Sequence, residues 1–360
     1  MAYYHPRYSA HKKKNGKKKK IIFTILLILF LALAGAAYIL YSIVLKPNVW
    51  TPNDESVAIT IPTGSDFEDV KLILYAKGLV VNRKYFEWWA EKKKYPQLVK
   101  PGKYLIQSGM NNNELINLLR SGEQVPVQLI FNNVRDIYQV AQKVSQQIEA
   151  DSAAIVDLIT DSTYLTLLGL NNETASVLFI PNTYEMYWNT SAEGFIKRMH
   201  EEYIKFWSGS RTSKARSIDL TIPEVVTLAS IVEKETNKDD EKPQVAGVYI
   251  NRLKAGWRLQ ADPTVIYALN DYSIKRVLNK HKEIKSPYNT YLVAGLPPGP
   301  ICIPSIASID AVLNYDHHNY LFFCAKDDLS GYHVFAKTNR QHAKNAKKYQ
   351  EALNKMGVYK

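Results

Sequence analysis

Cysteine is nearly missing. The 360-residue chain has two, Cys302 and Cys324, in neither a CxxC pair nor a His/Cys ligand spacing. Zinc-finger-type metal sites are therefore not supported, and neither a metal nor a cofactor is implied. Whether the two cysteines pair in an oxidising compartment stays open at this level. Acid is missing from the first twenty residues, which hold Arg7, Lys12, Lys13, Lys14, Lys17, Lys18, Lys19 and Lys20. Those eight cations carry most of the net charge of +12, so the other 340 residues are close to balance at +4. A basic excess beyond the tail is thus lacking, which argues against nucleic acid as a partner. No internal repeat is evident, so a solenoid or propeller is not indicated.

What is present is ample core material, 46% hydrophobic and 11% aromatic residues, enough for two or three globular domains. Directly after the basic tail runs IIFTILLILFLALAGAAYILYSIVL, Ile21 to Leu45, without a charge. At 1.5 Å per residue it reaches roughly 37 Å, enough to cross a hydrocarbon core of about 30 Å. A signal peptide would have a shorter apolar region and a small-residue cleavage site. Tyr38, Tyr41 and Lys46 resemble an interfacial anchor. We therefore expect a single-pass anchor in the plasma (inner) membrane. Residues 1–20 stay cytoplasmic and touch membrane lipid, and the remainder is extracytoplasmic or periplasmic.

Residues 46–56 read as a polar linker. Between 57 and 132 the order is strand (VAITIP), helix opened by Ser65 or Asp66, helix (NRKYFEWWAEKKKYP), strand (GKYLIQSGM), helix ended at Gly122, then the strand QVPVQLIF. This suits a small α+β module. Phe86, Trp88, Trp89, Tyr95 and Tyr104 read either as core or as a sugar-stacking platform. Residues 133–360 make a second, mixed α+β domain. Helical patterns follow Asp136, and the segment SVLFIPNTYEMYW has a Pro and Asn turn among tyrosines.

The stretch LASIVEKET, Leu228 to Thr236, places two carboxylates on an apolar helix capped by Thr221. Glu233 falls one turn after Ala229 and Ser230; Glu235 falls one turn after Ile231 and Val232. Both border buried surface, where desolvation raises a carboxyl pKa and suits it to donate a proton. The small neighbours of Glu233 leave room for a substrate, whereas those of Glu235 look like packing. The competing reading is two helix-end glutamates paired with Lys234 or Lys238. Downstream lie a helix ending at Gly256, then ADPT, where Asp262 caps and Pro263 starts a third helix. The loop from Leu296 to Pro304 holds four prolines and is stiff enough to wall a groove. A two-strand signal and a basic terminal helix close the chain.

LASIVEKET, VAGVYINRLKAGWRLQADPTVIYAL, SPYNTYLVAGLPPGPI and HVFAKT, in that order, resemble the endolytic murein transglycosylase family, also called YceG-like. The resemblance covers roughly residues 55–345. It implies that residues 57–132 are similar to a LysM module and 133–360 to the catalytic domain. It implies cleavage of the β-1,4 bond between N-acetylmuramic acid and N-acetylglucosamine in nascent peptidoglycan strands, leaving a 1,6-anhydro end. The expected catalytic acid and base is Glu233. Gln260, Asp262, Thr264, Tyr288 and Asn289 are expected to line the glycan groove. Peptidoglycan synthases and the cell elongation or division machinery are implied partners. One segment departs from the family pattern: SVLFIPNTY stands where EGYLFPDTY is usual, with Val177 and Leu178 before Phe179 and Asn182 in place of the aspartate. A second acidic group is therefore not carried over there. A hydrolytic muramidase and a non-catalytic peptidoglycan-binding scaffold are the alternatives.

Overall fold

The computed structural model describes residues 14–132 and 134–357, with Met1 and Pro6. Arg7, Lys12 and Lys13 of the basic tail lie outside the described residues. One helix, Lys14–Val44, contains a stretch from Lys17 to Val44 long and apolar enough to cross a membrane. Its apolar side chains, Ile21, Phe23, Ile28 and Phe30 among them, are exposed as far as Tyr41, which is consistent with a membrane anchor.

The chain divides into two compact units at Val125/Pro126, each with its own core. In the first, β1 (Val57–Ile61) pairs antiparallel with β2 (Gly102–Ile106), the helices Phe67–Ala76 and Asn112–Ser121 pack on the pair, and Arg83–Lys92 packs against Asn112–Ser121. Asp66 is the cap of the first helix, in a reciprocal box with Asp69, and Asn111 with Glu114 does the same for the third. The aromatic group splits. Phe86, Tyr95 and Tyr104 are fully buried and Trp89 packs against the core, leaving only Trp88 substantially exposed at 43%. Residues 46–56 are not a free linker: Asn48 and Val49 are buried, and the Asn48 amide donates to Asn112 Oδ1 at 2.7 Å.

The strand read from QVPVQLIF belongs to the second unit. There β3 (Val127–Phe131) pairs antiparallel with β4 (Asn182–Met186), burying Val127, Leu129 and Phe131 against Tyr184 and Met186. Its alternating pattern fits a strand equally well in either unit, and only the partner decides. Val177 and Leu178 of the departing segment are core residues too. A third hairpin, β5 (Phe322–Ala325) with β6 (His333–Ala336), precedes the helix Asn339–Lys355.

The helix Ile222–Glu235 occupies the middle of this unit. Eight consecutive residues, Val225 to Val232, are buried, so the helix is surrounded rather than laid on a surface. Thr221 caps it in a box with Glu224, as the sequence predicts. Lys242–Lys254, Asp262–Leu269 and Ile306–Leu313 pack around it. Cys302 and Cys324 are both free, and burial pushes the Cys302 thiol up to about 12, making it chemically inert.

Candidate functional site

Two residues apart on an α-helix means a rotation of about 200°, so Glu233 and Glu235 leave the buried helix in nearly opposite directions. Glu233 meets the N-terminus of the helix Ile306–Leu313. Its Oε2 accepts from Ser305 Oγ at 2.7 Å, from Lys242 Nζ at 3.1 Å, and from the Ser308 hydroxyl. Lys242, whose side chain is 5% exposed, also reaches Asp239 at 2.7 Å. Burial pushes the Glu233 carboxyl up, but the two serine hydroxyls and the lysine together outweigh it and hold it below the usual carboxylate range. The partner lysine is Lys242, not Lys234 or Lys238. Nor do the small residues leave a void. Ala229 is fully buried, and Ser230 Oγ donates to Thr227 O and accepts from Ile301 N at 2.9 Å.

Glu235 faces a cavity of about 430 Å³, sharing its lining with Gln260, Asp262, Tyr291, Arg252 and His342. Burial is the main influence on this carboxyl and pushes it up to about 7, reinforced by the nearby Asp262 and opposed by the Tyr249 hydroxyl, His333 and Arg252. Tyr249 Oη donates to Glu235 Oε1 at 2.6 Å, and Tyr291 Oη donates to Asp262 Oδ1 at 2.6 Å. Arg252 spends its charge on backbone, donating to the carbonyls of Leu321 (2.7 Å) and Leu259. His342 stacks on Phe322, with ring centroids 5.4 Å apart; burial and Arg252 hold its imidazole below the usual range. Just beyond Glu235, the Glu241 carboxylate gathers Thr236 Oγ1 (3.0 Å), His333 N (2.6 Å) and His333 Nδ1 (2.7 Å), fixing the chain where the helix ends.

The expected groove residues divide by environment. Gln260 and Asp262 share the Glu235 cavity. Asp262 is not a cap: Ala261 holds that position without a side-chain bond, and the carboxylate is turned to Tyr291 instead. Gln260 adopts a left-handed backbone, φ +50°, its N–H bonded to Thr290 O. Thr264 is fully buried and its hydroxyl is used on Ala261 O and Thr290 Oγ1. Asn289 is fully buried too, its amide donating to the carbonyls of Lys282 and Ile284. Neither residue lines the Glu235 cavity, and their side-chain polar groups are already paired within the fold. Tyr288 lines a neighbouring cavity, and Glu233 lines neither. Tyr249 and Tyr291, which line the same cavity as Glu235, lie inside the quoted motifs, but no local signal in the sequence singles them out. The 200° separation of the two glutamates was the available signal that their surroundings must differ.

A model described as the YceG-like family matches residues 59–348 of this chain. The chain is 30% identical over 340 residues to the endolytic murein transglycosylase of Bacillus subtilis, covering 89% of this chain and 92% of that protein. It is 30% identical over 358 residues to the endolytic murein transglycosylase of Streptococcus pneumoniae, covering 90% of this chain and 64% of that longer relative. Among solved structures, a YceG-like protein from Listeria monocytogenes aligns with a TM-score of 0.54 and 27% identity, over 81% of this chain and 98% of that one.

Proposed function

This chain belongs to the YceG-like family, and on that premise we propose that it is a membrane-anchored endolytic lytic transglycosylase acting on peptidoglycan, with Glu235 as its proton-transferring residue. The observation that carries the choice of residue is a carboxyl pushed up to about 7, open to a cavity it shares with Gln260 and Asp262. Glu233, bound by three donors and held in its ionised form, lacks a proton to give near neutrality.

In this reading neutral Glu235 protonates the oxygen leaving C1 of N-acetylmuramic acid, and the C1–O bond breaks. The resulting carboxylate then takes the proton of the same sugar's C6 hydroxyl as that oxygen bonds to C1. The product is a 1,6-anhydro ring, no water is consumed, and the proton returns to Glu235. A single group serves as acid and then base, for which a pKa near the working pH is the favourable compromise. Tyr249 orients the carboxyl. Gln260 offers an amide able both to donate and to accept, suited to an acetamido group.

The helix Lys17–Val44 anchors the chain, and the basic tail faces the cytoplasm, leaving residues 46–360 on the far side with the glycan. There the part of the first unit that follows the membrane helix, as a LysM-like module, contacts peptidoglycan, and peptidoglycan synthases are the neighbours whose nascent strands are cut. The test uses detergent-solubilised full-length protein on isolated peptidoglycan, with product masses read against a hydrolytic muramidase. Anhydro ends that vanish in Glu235→Gln and persist in Glu233→Gln support the assignment. Reducing ends in their place, or the opposite pattern between the two variants, overturn it.

A further inference from the structure

A second cavity, of about 510 Å³, lies in the same unit, and its residues are tied to the first by two short covalent paths. Asp262, in the Glu235 cavity, begins the helix Asp262–Leu269, and Tyr267 on that helix lines the second cavity. Tyr291 lines the first, and Tyr288, three residues earlier, lines the second. Asp262 is bonded to Tyr291 at one end, while the Tyr267 and Tyr288 rings meet at 4.7 Å at the other. At 1.5 Å per residue, Tyr267 stands about 7.5 Å along the helix axis from Asp262, too far for one pyranose ring to span both ends.

We propose that the cavity walled by Arg135, Asp136, Glu173, Tyr267, Tyr288 and Pro300 is a second carbohydrate subsite, which holds a sugar of the same glycan strand remote from the bond being cut. This rests on the lytic reading above and extends it to strand recognition.

The lining has the chemistry of a polyol site. Two tyrosine rings offer apolar faces to the C–H face of a sugar, and planar charged side chains offer paired donors and acceptors to hydroxyls. Arg135 Nε is held by Asp136 Oδ2 at 3.2 Å, and its guanidinium lies 4.2 Å from the centre of the Tyr272 ring. Its terminal nitrogens have no hydrogen-bond partner among the described residues. One cation facing two carboxylates, Asp136 and Glu173, gives no net attraction for an anion, so a neutral ligand with many hydroxyls is the better match.

The site is also preformed. Ile301 N, directly after Pro300, is bonded to Ser230 Oγ of the glutamate helix at 2.9 Å, and Ile303 N to Val134 O at 3.2 Å. A Cβ on Gly299 would stand 2.0 Å from the Glu173 carbonyl oxygen, so glycine is required for the proline loop to close on the far wall. A strand bridging both cavities must extend past the cleaved bond, which makes internal bonds the favoured targets.

The experiment compares long glycan strands with the shortest oligosaccharide the wild-type full-length protein cleaves, for Arg135→Ala and for Arg135→Ala/Tyr288→Ala. Thermal melts confirm folding, and Arg135→Ala alone, at a half-exposed side chain, keeps the test valid if the double variant fails to fold. The expected result is a fall of about tenfold in the ratio of kcat/KM for long over short substrates, carried by KM, which corresponds to about 1.4 kcal/mol of remote binding. An unchanged ratio, with both substrates affected equally or not at all, overturns the proposal. Binding of uncleaved strands by Glu235→Gln, with and without Arg135→Ala, separates the two readings. Weaker binding with Arg135→Ala supports the subsite even if the wild-type products prove not to be anhydro ends, and equal binding overturns it.

Discussion

Tyr249 Oη donates to Glu235 Oε1 across 2.6 Å, joining the last turn of one buried helix to the middle of the next. That bond favours the ionised carboxyl, so it opposes the burial that pushes Glu235 up. Removing it leaves burial less opposed. Tyr249→Phe should therefore move the alkaline limb of the kcat/KM profile to higher pH, by up to about one unit, the equivalent of one hydrogen bond of about 1.4 kcal/mol. A limb that stays in place or moves down would show that another group sets it.

Glu235→Gln should lose at least about a hundredfold in glycan cleavage, as expected when a general acid is removed, and should gain stability at alkaline pH. Burial pushes the carboxyl from its ordinary value of 4.5 up to about 7 in the folded chain. Between those values the folded state binds the extra proton, so stability falls as pH rises through the window and is flat above it. The full drop is about 3 kcal/mol, and the glutamine variant does not suffer it. Its melting temperature relative to wild type should rise by several degrees from pH 5 to pH 8. A difference independent of pH would mean that Glu235 is not a buried, raised carboxyl.

Glu233→Gln should behave the other way round. Its carboxylate ties Lys242 to Ser305 and Ser308, and Lys242 is nearly sequestered. Losing the charge should cost about 1 to 3 kcal/mol, less than for a fully buried pair because Asp239 remains on the lysine. Glu233 is held below its ordinary pKa, so its stabilisation is present above the unfolded carboxyl range and disappears as pH falls through the folded value. The melting penalty should be present at pH 7 and shrink in acid, while cleavage stays within a few-fold of wild type. Lost cleavage with an unchanged melting temperature would return the catalytic role to Glu233.

The contrast between these glutamates marks where the sequence stopped being informative. The cap at Thr221, the buried helix and the following helices at Lys242–Lys254 and Asp262–Leu269 follow from local signals, which need no distant partner. The environments of Glu233 and Glu235 do not. They are set by Ser305 and Ser308, more than seventy residues away, and by Tyr249 on the next helix. Small neighbours at Ala229 and Ser230 suggested space, yet the Ile301 backbone fills it. The strand Val127–Phe131 was legible as a strand but not as to its unit, because its partner at Asn182–Met186 lies across four helical segments. Asp262 kept its place at the cavity while losing its expected role as a cap.

Gln260 offers a test that separates backbone from side chain. It holds φ +50°, a conformation that costs a residue with a Cβ about 1 kcal/mol and costs glycine almost nothing. Its side chain lines the Glu235 cavity, while its N–H is fixed to Thr290 O. Gln260→Ala and Gln260→Gly both delete the amide, so both should raise KM for glycan by a similar factor, about five- to tenfold for one lost hydrogen bond. Only glycine relieves the left-handed backbone, so its melting temperature should exceed that of the alanine variant by a few degrees. Equal melting temperatures would show that the backbone carries no strain. An unchanged KM in both would show that the glutamine amide does not touch the glycan, and would leave Asp262 and Tyr291 as the polar wall facing Glu235.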